Sequence, residues 1–175
     1  ATVIPSFQNS APVTIVGNTE LSGLELKKTK NNRWGFGVHD GDNYKIAESK
    51  RMIQPGQRVR LAGVYDGRSV KLFVDGNLQS TIPIPSHNAS KYPFVVGGSP
   101  QPNGDVNYNF AGVIEEVRIC SEALYRDSYS PPNDLSNTKR TVLLLKLNEG
   151  KGKITRDESK NRNHCRITNA EWVSN

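Results

Sequence analysis

The stretch LAGVYDGRSVKLFVDGNL, Leu61 to Leu78, decides the fold class. Within it Val70, Leu72 and Val74 alternate with Lys71 and Phe73, so an extended chain sends the two sets to opposite faces. Asp66-Gly67 breaks the run before Val70, and Asp75-Gly76 ends it after Val74. An Asp-Gly pair supplies the positive φ that tight hairpin loops demand. The stretch therefore predicts consecutive antiparallel hairpins.

Outward from this point the pattern repeats. Arg58 to Tyr65 precedes the first turn, and a third Asp-Gly pair stands at Asp40-Gly41. Gly23 to Lys28, Trp34 to Val38 and Tyr44 to Ala47 are short strand-like runs on the N-terminal side. Phe94 to Val96, Ala111 to Ile119, Val142 to Leu147 and Cys165 to Thr168 follow on the other side. One helical turn is expected over Ser121 to Arg126, with Ser121 as its cap. Ser99 to Asn107 and Ser128 to Asn137 read as connections, and Pro131-Pro132 forbids both helix and ladder in the second. Many short strands separated by turn residues predict an all-β, two-sheet antiparallel sandwich.

Composition narrows the function classes. The chain has 175 residues, of which 35% are hydrophobic and 23% charged, which suits one folded domain. Its longest aliphatic run, Val142 to Leu145, is far short of the roughly 18 residues of a membrane span. The net charge is +6, but Glu25, Asp40, Asp42 and Asp157 interrupt the basic clusters. Nucleic-acid binders concentrate charge and interleave it with aromatics, so nucleic acid is not the expected partner. The chain begins at Ala1 with no signal-peptide pattern, and it reads as a piece of a longer polypeptide.

Four segments carry a family resemblance. Leu61 to Leu78 resembles the central hairpin of laminin-G-like, concanavalin A-like jelly-roll domains, with its "V-Y-D-G" and "L-x-V-D-G" signatures. FVVGGSP (Phe94 to Pro100) resembles their "l-x-I-G" strand, and FAGVIEEVRICSEAL (Phe110 to Leu124) their "F-x-G-x-I-D-E-V-R-I-x-x-x-A-L" segment. LLLKLNEGKGKITRDESKNRNHCRITNAEWV (Leu143 to Val173) is similar to their "E-G-x-G … D-x-S … W-V" segment, which in most such domains comes first. Here residues 141–175 are expected to complete the same sandwich, so that 1–175 is one domain. The alternative is the start of a second repeat. Glu115, Arg58, Arg60 and Cys165 depart from the usual residues at their positions.

The resemblance implies a non-catalytic binding module of a larger secreted or envelope protein, with a glycan as ligand. A protein-contact or adhesion module is the alternative, and a glycoside-processing enzyme a distant one. Sandwich glycosidases place their carboxylates on one strand face, about 5–5.5 Å apart in retaining enzymes. Glu115 and Glu116 are adjacent, so a strand separates them to opposite faces. Glu115 is expected to be buried or turn-bonding and Glu116 solvated. Gly97-Gly98-Ser99-Pro100 lacks the last Gly of a nucleophile elbow. His39, His87 and His164 are expected at the surface.

Sugar sites pair aromatic faces with amides and carboxylates. Trp34, Tyr44, Tyr65 and Tyr108 are the candidate aromatics, and Asn43, Asn107 and Asn109 the candidate polar partners. Asp40 and Asp42 crowd hard oxygen ligands into one turn, a candidate calcium site, although the same residues suit an Asx-bonded Asp-Gly turn. Cys120 and Cys165 fit either one disulfide or two small buried side chains. Adjacent placement in one sheet would let them bridge, if their Cα atoms fall within about 4.4–6.8 Å.

Overall fold

The computed structural model describes residues 1–6 and 11–173. Among them are fifteen strands and no helix: β1 (Thr2–Pro5), β2 (Val13–Gly17), β3 (Leu24–Lys28), β4 (Arg33–His39), β5 (Tyr44–Met52), β6 (Val59–Tyr65), β7 (Ser69–Val74), β8 (Asn77–Pro83), β9 (Val95–Val96), β10 (Ser99–Pro100), β11 (Val106–Asn107), β12 (Gly112–Cys120), β13 (Thr141–Leu145), β14 (Ile154–Thr155) and β15 (Cys165–Arg166). A six-stranded sheet has the order β13-β12-β1-β6-β7-β8, and a five-stranded sheet the order β5-β4-β3-β2-β9. The ladders within both sheets are antiparallel. The expected all-β sandwich is the observed architecture.

The alternation read in β7 decides which face meets the core. Val70 and Leu72 are fully buried among Val16, Leu26, Phe36 and Leu61, and Val74 packs against the same cluster. Phe36 reaches across from the opposite sheet and lies against bare backbone. A Cβ placed on Gly63 would stand 2.1 Å from the Phe36 ring. The edge strands β5 and β8 close one side, where Ser80 Oγ donates to Glu48 O at 2.8 Å and Lys50 N to Gln79 Oε1 at 3.2 Å.

Phe73 departs from the simple in-out pattern. It points away from the core, yet it is fully buried. Residues 121–137 form no helical turn and instead run as a strap across the outer face of the six-stranded sheet. Tyr125 and Tyr129 stack at 3.6 Å, and their edges meet Phe73 at 6.0 and 5.7 Å. Such aromatic contacts contribute about 0.5–1.5 kcal/mol each beyond burial. Tyr129 N donates to Gly76 O at 2.8 Å, Leu78 N to Ser128 Oγ at 3.0 Å, and Arg118 to Ser136 O at 3.0 Å. Covering this face also reverses the expectation for the two glutamates. Glu116 is 5% exposed, whereas Glu115 is half-buried and pairs with Arg58 at 2.7 Å.

The first strand of the C-terminal segment, β13, joins the six-stranded sheet, and β14 and β15 pair in a separate ribbon. Leu143, Leu144 and Leu145 of β13 lie opposite Ile119, Arg118 and Val117 of β12. The chain beyond is gathered by Asp157, which is buried. Its Oδ1 accepts from Leu144 N and Ser159 N at 2.9 and 2.8 Å, and its Oδ2 from Ser159 Oγ and Asn163 N at 2.8 and 2.9 Å. The D-x-S motif is thus a structural pin.

Burial pushes the Asp157 carboxyl up, but its four donors outweigh that and hold it below its ordinary value. Glu116 behaves likewise, because the Leu135 amide, the Thr2 hydroxyl and Lys146 outweigh its burial. A depressed folded pKa gives stability that is complete above the ordinary values of 3.8 and 4.5 and is lost as pH falls through the lowered ones. Two outcomes follow. Asp157→Ala, which leaves buried amides without acceptors, is expected to lower unfolding free energy by about 2–4 kcal/mol at pH 7. Urea titrations at pH 7 and pH 3 should show the deficit shrinking at the lower pH. Gly76→Ala is expected to cost about 1–3 kcal/mol, because Gly76 has φ 76° and a Cβ there would lie 1.9 Å from Tyr129 O. Near-UV circular dichroism should report the displaced tyrosines.

Candidate functional site

The structure scatters the aromatics that the sequence singles out. Trp34 is 5% exposed and belongs to the core, so it is not an open stacking platform. Tyr44 starts the edge strand β5 and donates its hydroxyl to Ser22 O at 2.9 Å. Burial pushes its phenol up to about 12. Tyr65 packs against the core. Tyr108 is 54% exposed with φ 52°, and its carbonyl accepts from Thr14 N of β2 at 2.8 Å. Tyr44 and Tyr108 therefore lie on opposite sides of the five-stranded sheet, with β4 and β3 between them. Asn43 is exposed in the loop before Tyr44, and exposed Asn107 pairs with Ser99 in the β10–β11 ribbon. Asn109 forms an isolated bridge with Thr14.

The Asp40–Asn43 turn is organised around its own backbone. Asp40 Oδ1 accepts from Asp42 N and Asn43 N at 2.9 and 2.8 Å, and Oδ2 pairs with Lys45 at 3.1 Å. The two amides, with Lys45, hold the Asp40 carboxyl at about 2. Among the described residues no three His, Cys, Asp or Glu side chains converge as a metal cluster. His39 is buried, contrary to expectation, because its Nδ1 accepts from Gly41 N at 3.1 Å and its ring meets the Tyr44 edge at 4.7 Å. His87 and His164 are exposed.

The cysteines are a further correction. Cys120 and Cys165 are both free thiols. Cys120 stands in the six-stranded sheet, whereas β15, which holds Cys165, pairs with β14 in a separate two-stranded ribbon. The neighbouring placement in one sheet that would have let them bridge does not arise.

What the sequence reading passed over is a cleft of about 730 Å³ at the end of the sandwich where β5 leaves the sheet. Trp34, Ile53 and Val59 form its buried floor. Gln54, Gln57, Asn77 and Gln79 add four amides to its lining. Met52, 59% exposed, adds an apolar rim. The volume falls within the roughly 300–1,000 Å³ of small-ligand sites, and an apolar base with a few amides is their usual chemistry. A second cavity of about 440 Å³ lies between the core residues Leu26, Phe36, Leu61 and Val117 and the strap residues Tyr125 and Tyr129, with Arg60, Arg118, Ser121 and Glu122 also in its lining.

A bulge in β5 shapes the cleft. Arg33 pairs with Met52 and Gly35 with Glu48, so Ser49, Lys50 and Arg51 all stand opposite Trp34 alone. Ser49 Oγ accepts from Trp34 N at 3.1 Å and donates to Arg51 O at 2.7 Å. The Arg33 guanidinium donates to the carbonyls of Ser49, at 2.7 Å, and Lys50. Bulges of this kind re-aim side chains that a regular ladder would send to fixed faces. The signal in the sequence was the polar run Glu48-Ser-Lys-Arg51, which does not alternate.

Residues 3–128 match the pattern of the concanavalin A-like lectin/glucanases superfamily. The chain belongs to that family. Its fold is also that of solved structures. A putative carbohydrate binding protein from Bacteroides ovatus superposes with a TM-score of 0.68 at 14% identity. That match covers 99% of this chain and 54% of the other, so the chain spans about half the length of that protein. The CBM40 of the Ruminococcus gnavus IT-sialidase matches with a TM-score of 0.50 at 19% identity, covering 63% of this chain and 67% of that one. No curated protein matches the chain.

The free-thiol state has a direct check. In denaturant without reductant, a thiol reagent is expected to label both Cys120 and Cys165. Labelling of neither would mean that they are bridged.

Proposed function

We propose that this lectin-like sandwich is a non-catalytic carbohydrate-binding module of a larger extracytoplasmic polypeptide, and that its saccharide lies in the Trp34 cleft. The observation that carries this is the cleft's lining. Met52 offers exposed apolar surface for sugar C–H faces above a buried floor of Trp34, Ile53 and Val59, and four amides offer donors and acceptors for hydroxyls. Gln54 and Gln57 make no side-chain hydrogen bonds within the described protein and are free to turn toward a ligand. Gln79 and Asn77 are pre-set, since Gln79 Nε2 donates to Asn77 O at 3.0 Å and Asn77 Nδ2 to Asp75 O at 3.1 Å. Family membership supports the same reading by analogy of fold.

Tyr108 with Asn107 is a smaller second platform, supported by the exposure of that ring. Neither of the two cavities reaches it, so we place the principal site in the cleft.

A glycan array on the purified chain is expected to give saturable binding that survives a chelator, since Asp75 is the one carboxylate lining the cleft. The double substitution Gln54→Ala/Gln57→Ala is expected to weaken binding about tenfold or more at unchanged thermal stability, each lost hydrogen bond being worth about 0.5–1.5 kcal/mol. Retention in that variant together with loss in Tyr108→Ala would move the site to the rim. Silence across the array would overturn the carbohydrate reading and leave protein contact as the function to test.

A further inference from the structure

We infer that the Trp34 cleft selects acidic saccharides, through Lys50 and Arg51 on the β5 bulge; this rests on the carbohydrate reading above. The bulge is what brings these two cations together. In a regular strand consecutive side chains point to opposite faces. Here both line the same cleft. Both are exposed, and neither belongs to an ion pair among the described residues. Elsewhere Lys27, Lys45, Arg58, Lys71, Arg140 and Lys146 each have a carboxylate partner.

Their backbone is held rather than loose. Ser49 and Arg33 pin the bulge, and the Lys50 amide is tied to Gln79 of β8. The side chains are left to a ligand while the chain that carries them is fixed. The rim has one opposing charge, Asp75, and its Oδ1 is engaged by Arg60 N at 2.8 Å. Two unpaired cations against one carboxylate make the cleft mouth net positive, in a chain of net charge +6. The planar Arg51 fork matches a carboxylate or a sulfate ester with two parallel hydrogen bonds, and Lys50 adds a compact charge. A sugar carrying either anion would place its ring over the apolar floor and its charge at the bulge.

The test is isothermal titration with three probes: an oligogalacturonate, a sulfated galactan oligosaccharide and a neutral cello-oligosaccharide of equal length. At least one anionic probe is expected to bind about tenfold or more tighter than the neutral one, with affinity falling as salt is raised. The arm that binds separates carboxylate from sulfate recognition. Lys50→Gln/Arg51→Gln is expected to weaken that binding about a hundredfold, at about tenfold per charge-assisted contact. Lys151→Gln/Lys160→Gln removes the same net charge at exposed positions outside the cleft lining and is expected to leave it unchanged.

Equal loss in the two double variants would overturn the inference in favour of a diffuse charge effect. Equal binding of the neutral probe, untouched by Lys50→Gln/Arg51→Gln, would overturn it while leaving the carbohydrate site standing. Absence of binding by all three probes, joined to silence on the array, would remove both.

Discussion

Glu116 is the group on which distant parts of the chain converge. Its carboxylate accepts from Thr2 Oγ1 of β1 at 3.0 Å and from Leu135 N of the strap at 2.9 Å, and it pairs with Lys146 at 3.3 Å just beyond β13. A buried carboxylate left without partners would cost several kcal/mol, so the three contacts have to form together. That requirement ties β1 and the residue just beyond β13 to the 121–137 strap, which forms the outer layer. The layer in turn lets Phe73 be buried on the side of the sheet that an ordinary sandwich leaves to water.

The outer layer and the cleft divide the work of the fold. One face of the six-stranded sheet packs on the core, and the strap crosses the other. At the far end β5 and β8 draw together through Ser80 and Gln79, and the excess residues of the bulge have no ladder partners. The Trp34 cleft opens there. Rigid strands thus support irregular backbone at a place where polar side chains border a buried apolar floor, the usual arrangement for recognition on a β scaffold.

The fold was legible because its signals are local. Alternation in Val70–Val74 and three Asp-Gly turns specify strands and hairpins through side-chain direction and positive φ, which neighbouring residues determine among themselves. The Glu115–Glu116 pair shows the limit of that logic. Alternation correctly separates them, but which one is buried depends on a strap some twenty residues later in the chain. The same limit applies to the Cys120–Cys165 bridge, which turned on sheet membership, and to the helical turn at Ser121–Arg126, which gave way to the packing of Tyr125 on Phe73.

Sequence alone determined that this chain is an antiparallel all-β sandwich, because period-two hydrophobicity and turn chemistry are carried by contiguous residues; the concanavalin A-like kind came from the resemblance of its motifs. It also marked Trp34 and the acidic Asp40 turn as places of interest. Only the tertiary structure decided what they are: Trp34 is the floor of a cleft, and Asp40 is the cap of its own turn. The cleft itself is assembled from β4, a bulge in β5, the 53–57 loop and the β7–β8 turn. Those pieces are separated along the chain and meet only when the two sheets close, so no local pattern in the sequence could announce them.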